Sequence, residues 1–322
     1  MDGAAVAEFA AVHRGPVIGP ADVRFDRARR SFNALIEARP ELIVRPIDDA
    51  DVAAAIGFAR ARGLGVSVRG GGHSVAGHSV GHASLMIDLR LLREVTADAD
   101  AQRVWVGGGA CWNDVDAATQ AAELALPGGT YGDTGVGGLT LTGGIGHLTG
   151  AYGLTLDNLV SARLVTAAGE VIWAAADREP ELFWALRGGG GNFGVVTEFE
   201  FALHPVLVMT GGMLFEPLHG AAARADATGT AFAFRHARFN VSPMAIWADP
   251  TLDEAQVTWA QTVRDRLRPL STGGYLNYAT DDTAGTVEDA YGAQTFARLQ
   301  AAKRTWDPGN LFRHNHNIPP AP

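Results

Sequence analysis

Cysteine is nearly missing from this sequence: Cys111 is the only one in 322 residues. An intramolecular disulfide and a cysteine-built zinc site are excluded by that count alone. No apolar run approaches the length of a membrane span. The residues after Met1 show no cationic stretch ahead of an apolar core, so no secretory signal is expected there. Positive charge is also scarce, with 26 Lys and Arg against 35 Asp and Glu and a formal net charge of −9. No basic run or stripe stands out, which argues against nucleic acid or an anionic membrane as partner. The default expectation is a cytoplasmic protein whose partner is a small molecule. Hydrophobic residues at 47% and charged residues at 19% fit a soluble chain with a sizeable core, in one large domain or two ordinary ones.

Glycine is what the sequence has in excess, 40 residues without periodicity, gathered into loops. Leu42-Ile43-Val44 reads as a strand. Asp48 or Asp49 can cap a following helix with Val52, Ala53, Ile56 and Ala59 at helical spacing, and Leu64–Val68 reads as a second strand. That strand delivers Arg69-Gly70-Gly71-Gly72-His73-Ser74, where three residues without Cβ atoms let the backbone present successive N–H groups to a pyrophosphate. Arg69 would add a positive fork and His73 a nucleophilic imidazole; an ordinary glycine-rich turn is the alternative. A similar strand, Arg103–Val106, leads into Gly107-Gly108-Gly109 and a helix from Asn113, with Cys111 at the junction read as a small buried thiol.

The stretch from Leu126 to Gly138 is densest in glycine and is expected to be neither helix nor strand, because glycine is costly in both, and it continues into Leu139–Gly146 with further bare backbone. A large, planar, phosphate-bearing ligand would need so much bare backbone. Further on, Ala168-Gly169 turns a hairpin, Glu181–Arg187 is expected to be a short amphipathic helix, and Val195–Phe201 alternates as a strand. From His204-Pro205 the glycine clusters stop. Residues 206–274 look like a second module, in which Trp247 and Trp259 are expected in the core. Residues 286–305 are expected to form one amphipathic helix around Tyr291, Phe296 and Leu299.

Taken in order, five stretches resemble the berberine bridge enzyme-like flavoproteins of the vanillyl-alcohol oxidase or p-cresol methylhydroxylase group. They are Arg69–Ser74, Thr134–Gly138, Asp157-Asn158, Gly191–Val195, and Trp306–Phe312 with Asn315–Ile318. The resemblance implies an α+β fold: a two-subdomain p-cresol methylhydroxylase-type FAD-binding domain over 1–205, a reduced α+β substrate cap over 206–278, and a C-terminal segment over 279–322 returning to the FAD domain. It implies FAD, with His73 carrying the flavin 8α-methyl group in a covalent bond. By the same matching Gly70, Gly71, Gly72 and Ser74 hold the pyrophosphate, and Gly137, Gly138 and Gly143 approach the ribityl chain or ring. Val195 would touch the adenine side, and Arg69, Gly129, Thr130, Asp133 and Gly146 complete the cofactor set. Asn277, Asn315 and Asn317 would make polar flavin contacts.

Two departures from the family carry consequences. Where many members have a second link through cysteine, the matching residue is Tyr131, so no cysteinyl bond is expected. The oxygen-gating position matches Thr134, close in volume to the valine of oxidases, which points to O2 as electron acceptor. The second departure is size: between Met213–Pro217 and Ser242–Ile246, where the family carries most of a substrate domain, only a short Ala-rich segment remains. Oxidation of a CH–OH or CH–NH carbon needs a base for the released proton. The matching tyrosine is Tyr275, in Tyr275-Leu276-Asn277-Tyr278, which reads as a strand with Tyr275 and Asn277 on one face; Arg235, Arg238 or His236 could assist it. His147, at the end of a glycine loop, is read as solvated or structural, and His78 and His82 lack a third ligand for a metal site. The expected activity is removal of a hydride from an alcohol carbon of a sugar or secondary metabolite. Oxidative bond formation on a natural product, or flavin binding with little turnover under a degenerate cap, are the alternatives.

Overall fold

The computed structural model describes residues 3–205, 216–242, 253–279 and 284–322. Trp247 lies outside them. Near the N-terminus β1 (Val17–Ile18), β2 (Leu42–Val44), β3 (Val66–Arg69) and β4 (Leu85–Asp88) form one sheet in the order β1-β2-β4-β3. β2 and β3 run parallel to β4, and β1 is antiparallel to β2. All four β4 residues and all three of β2 are buried, as parallel strands covered on both faces require. The helix Asp49–Ala61 connects β2 to β3. It is capped by Asp48, whose side chain accepts from Asp51 N, and it buries Val52, Ala55, Ile56 and Ala59 against the sheet.

A second sheet is fully antiparallel. Its strands are β5 (Val95–Asp98), β6 (Arg103–Gly107), β8 (Leu159–Val165), β9 (Val171–Ala175) and β10 (Val195–Ala202), in the order β5-β6-β10-β8-β9. The short β7 (Leu124–Ala125) pairs with β11 (His204–Pro205), and β12 (Glu216–Pro217) pairs with β13 (Phe239–Asn240). Phe199 and Phe201 on β10 pack into a core shared with Trp112, with the 180–186 helix and with Phe296 and Leu299 from the C-terminal helix. The α+β class is as expected.

Four local expectations are corrected. Val136–Thr142 is a helix, glycines included. A Cβ on Gly137 would lie 3.3 Å from Gly108 O and 3.4 Å from the Phe199 ring, so close packing there outweighs helix propensity. Residues 180–186 bury five successive side chains, Leu182 to Leu186, so that helix is a core element rather than amphipathic. The single helix expected over 286–305 is two, Ala284–Tyr291 and Ala293–Trp306, broken at Gly292 with φ +72°. Trp259 is half exposed rather than in the core.

The last turn of the second helix is anchored by a buried ion pair. Lys303 Nζ lies 2.6 Å from Asp307 Oδ2 and donates to Asn192 O at 2.9 Å and Phe312 O at 2.8 Å. Asp307 also accepts from Leu311 N and Phe312 N. This cluster ties the C-terminal tail to the 188–194 loop.

Candidate active site

At the end of β3 the chain turns through Gly70, Gly71 and Gly72 to His73. The turn lies against the 132–135 loop so closely that no side chain fits between them. A Cβ on Gly71 would be 2.3 Å from Gly135 N, and one on Gly135 would be 2.2 Å from Gly71 N. Glycine at both positions is what lets the two backbones touch. The second loop is held in turn by Trp112 N donating to Thr134 O at 3.1 Å and Val136 N to Ala110 O at 3.0 Å. His73 is thereby set against two side chains: Nε2 is 3.1 Å from Asp133 Oδ2, and Nδ1 is 3.5 Å from Thr134 Oγ1. Phe32 stacks on the imidazole with centroids 4.3 Å apart and planes 19° from parallel. No sequence motif flags Phe32.

Two triglycine loops that look alike in sequence use their amides differently. From Gly107 to Trp112 every N–H has a protein acceptor: Glu94 O, Thr197 O, Leu92 O, Gly107 O, Asp114 Oδ2 and Thr134 O in turn. Around Gly70–Ser74 the bonds instead use acceptors. Gly72 O accepts from Phe32 N, Ser74 O from Gly77 N and Ser74 Oγ from His78 N. Among the described residues no N–H from Gly70 to Ser74 has a protein acceptor. The first loop is closed by its own fold, while the second leaves consecutive donors of the kind that bind a diphosphate.

Arg69 does not serve this loop as a positive fork. It is buried, and its guanidinium donates to Ala28 O at 2.6 Å and to Arg30 O, pinning the 28–30 turn. Burial, with Arg90 nearby, pulls its pKa down to about 10. Val195 is also turned away, fully buried in the core beside Val165. Gly129 and Gly146 pack inward: their Cβ atoms would meet Leu139 Cδ1 at 2.8 Å and Gly128 O at 1.8 Å. Thr130 and Asp133 are exposed, and Gly138 has nothing within 4 Å of a Cβ. Asp157 and Asn158 are structural. Asp157 accepts from Arg235 at 2.6 and 3.0 Å, and Asn158 donates to Tyr152 O and Leu154 O. Cys111 lies nearer the site than its place in the sequence suggests, its backbone bridged to Gly135. Burial, Asp114 and Asp133 raise the thiol pKa and disfavour a thiolate.

The C-terminal tail closes over the 188–194 loop. Asn315 Nδ2 donates to Gly191 O at 3.2 Å, Ile318 N to Asn192 Oδ1 at 3.2 Å, and His316 Nε2 is 2.8 Å from Leu276 O. The side-chain oxygens of Asn315 and Asn317 are buried without a hydrogen-bond partner among the described residues.

Tyr275 is brought to this tail by a 3-10 turn, Leu276–Tyr278, and not by the expected strand. The turn still sets Tyr275 beside Asn277: Tyr275 Oη accepts from Asn277 Nδ2 at 2.6 Å and from Gly144 N at 3.0 Å. Asn277 also bonds Thr142 Oγ1. Gly143, at φ +146°, lies under the ring; a Cβ there would be 3.0 Å from Tyr275 Cε2, so the position needs glycine for both reasons. Burial pushes the Tyr275 phenol up to about 12, against the role of base. Arg235 is committed to Asp157 and Thr230. The carboxylate in this cluster is Glu216, which sequence reasoning passed over because a lone Glu on a two-residue strand carries no pattern. Tyr278 Oη donates to Glu216 Oε1 at 2.9 Å and Asn240 Nδ2 to Oε2 at 2.6 Å, while the Tyr275 and Tyr278 rings meet edge-on at 5.1 Å. Among the described residues no group of His, Cys, Asp and Glu is arranged to hold a metal, and no helix is long and apolar enough to cross a membrane.

A family model described as an FAD binding domain matches residues 40–175, and one described as berberine and berberine-like matches residues 274–319. The chain is similar to (R)-6-hydroxynicotine oxidase of Paenarthrobacter nicotinovorans, at 40% identity over 206 residues, 63% of this chain and 45% of that protein. It spans less than half the length of the curated relatives it matches. Among solved structures, 6-hydroxy-D-nicotine oxidase from Arthrobacter nicotinovorans superimposes with a TM-score of 0.80 at 26% identity, covering 96% of this chain and 98% of that one. Physcomitrella patens BBE-like 1 shares the fold, with a TM-score of 0.86 at 18% identity over 98% of this chain and 99% of that one. The residues present fit an FAD. The bare amides at 70–74 suit its diphosphate, and the unpartnered oxygens of Asn315 and Asn317 suit the N–H edge of its ring.

Proposed function

We propose that this chain, which belongs to the berberine bridge enzyme-like FAD-linked oxidoreductases, is an oxidase that takes a hydride from a carbon bearing a hydroxyl or an amine and passes the electrons to O2. The observation that carries the reading is the line of bare amides ending at His73, whose mostly buried imidazole lies beside Asp133 and Thr134. In this reading Gly70–Ser74 hold the diphosphate and His73 holds the ring through a single bond. Tyr131 stands where the resemblance would place a cysteine. Residues 1–205 and 279–322 form the cofactor unit, and the segment between them covers the ring.

When bound, the flavin supplies the hydride acceptor. The chain supplies position and a path for the proton. Tyr275 Oη already accepts two hydrogen bonds, so its own proton is left to donate to a substrate oxygen or nitrogen, and its raised pKa keeps that proton in place. Tyr278 is backed by Glu216, so the substrate's proton passes to Tyr278 Oη as the phenol's proton moves to Oε1. This assigns the base to Glu216 rather than Tyr275.

A likeness to an oxidase named for a nicotine derivative gives the amine reading the same standing as the alcohol one. The test is anaerobic bleaching of the loaded protein's flavin absorbance by secondary amines and by alcohols, followed by peroxide release on admitting air. Bleaching without peroxide would overturn the oxidase assignment, and no bleaching by either class would leave a flavin-binding protein without turnover.

A further inference from the structure

We infer that His316 is a positioning residue that ties the turn carrying Tyr275 and Tyr278 to the cofactor site, so that filling the site stiffens the two tyrosines that handle the proton. The inference rests on the FAD reading above and adds to it the residue through which the cofactor sets that turn.

The tail fixes where the His316 imidazole sits. On one side Asn315 Nδ2 donates to Gly191 O at 3.2 Å, and on the other Ile318 N donates to Asn192 Oδ1 at 3.2 Å, so both flanks of His316 are held by the 188–194 loop. The ring is buried, and its Nε2 is 2.8 Å from Leu276 O. A carbonyl oxygen only accepts, so Nε2 carries a proton here, in the neutral and in the charged ring alike. The same carbonyl accepts from Ala279 N at 3.1 Å, the hydrogen bond that closes the 3-10 turn. His316 therefore holds the turn at the atom that closes it.

Both segments expected to meet FAD converge on this ring. Asn315 and Asn317, whose side-chain oxygens suit the flavin's N–H edge, are its neighbours in the tail. The His78 ring meets it edge-on, with centroids 4.4 Å apart and planes at 80°. His78 in turn is bonded through its backbone N–H to Ser74 Oγ at 3.1 Å, at the end of the line of bare amides. The contacts run from Ser74 through His78 and His316 to Leu276 O. From there they reach both phenols, because Tyr275 caps the turn and Tyr278 N donates to Tyr275 O at 3.1 Å. A ligand that orders the loop and the tail removes freedom from the surroundings of the His316 ring, and the ring passes that restraint to the turn.

The experiment uses the full chain expressed under riboflavin limitation, with and without an excess of added FAD, and follows hydrogen exchange at the amides of Tyr278 and Ala279. In the wild type FAD is expected to slow exchange at both by ~10-fold, within the usual range of coupling between two sites. His316→Leu removes the donor but leaves Leu276 O its bond from Ala279 N, so the turn still forms; it is expected to lose the slowing. His316→Gln, whose amide N–H reaches the carbonyl in place of Nε2, is expected to restore it. Slowing by FAD in His316→Leu as large as in the wild type would overturn the inference. So would exchange that quickens equally with and without FAD, which marks a bond that only holds the fold, or a His316→Gln protein that behaves as His316→Leu does. Wild-type protein that binds FAD with no change at these amides would also overturn it, whereas wild-type protein that binds no FAD would instead sink the functional reading beneath it.

Discussion

Tyr278 and Glu216 stand 62 residues apart in sequence and are joined by a 2.9 Å hydrogen bond from the phenol to Oε1. The bond links β12 to the 3-10 turn that carries Tyr275, and it places the carboxylate of this cluster behind a hydroxyl. If Glu216 is the final proton acceptor, Glu216→Gln keeps the hydrogen-bonding shape and removes the base. The expected result is a fall in kcat of ~100-fold or more with flavin content unchanged, within the range usual for general bases. Tyr275→Phe, which removes only a donor, is expected to cost about 10-fold, near 1.4 kcal/mol. Steady-state kinetics on the two variants separate the roles; a larger loss in Tyr275→Phe than in Glu216→Gln would return the base to Tyr275.

Lys303 is fully buried with Asp307, and burial lowers the Lys303 pKa. Lys303→Met leaves the Asp307 carboxylate without its cation, and the expected cost is about 3–5 kcal/mol. Asp307 also caps two backbone amides, so the double variant Lys303→Met with Asp307→Asn is expected to recover part of that loss. Denaturant unfolding of the single and double variants checks this; a single variant as stable as wild type would show that the tail is held by other contacts.

Burial raises the pKa of three of the five tyrosines, Tyr275 to about 12 and Tyr278 and Tyr291 in the same direction. The unfolded chain ionises its phenols near pH ~10, so between that pH and the folded values the unfolded state has released protons that the folded state still holds. The stability these groups contribute is full below about pH 10 and is lost as pH rises through the folded values. Phenolate absorbance and circular dichroism followed together with rising pH are expected to show these three tyrosines ionising only as the fold melts. Their ionisation in a protein that keeps its fold would contradict the burial described for them.

Much of this was legible in the sequence where one physical rule dominates. The apolar run at Leu42–Val44 and the capped helix behind it could hardly be anything else, and the alternation of Val195–Phe201 was equally plain. Residues whose roles depend on a distant partner were not legible. Gly137 sits in a helix because Phe199 and Gly108 approach it, and propensity alone denied that helix. Arg69 looked like a phosphate ligand until Ala28 O and Arg30 O claimed its guanidinium. The loops Gly70–Gly72 and Gly107–Gly109 read identically, and only the acceptors of their N–H groups tell an open loop from a closed one. Glu216 carried no signal at all.

The central claim is that one side chain, His73, carries the cofactor. Precipitating the purified protein with acid and measuring flavin absorbance in the washed pellet tests it most directly, with Cys111→Ser as a control that should not differ from wild type. The account predicts a yellow wild-type pellet with flavin equimolar to protein, and a colourless pellet from His73→Ala even where the native variant still holds FAD. Acid-stable flavin in His73→Ala, or none in the wild type, would contradict it.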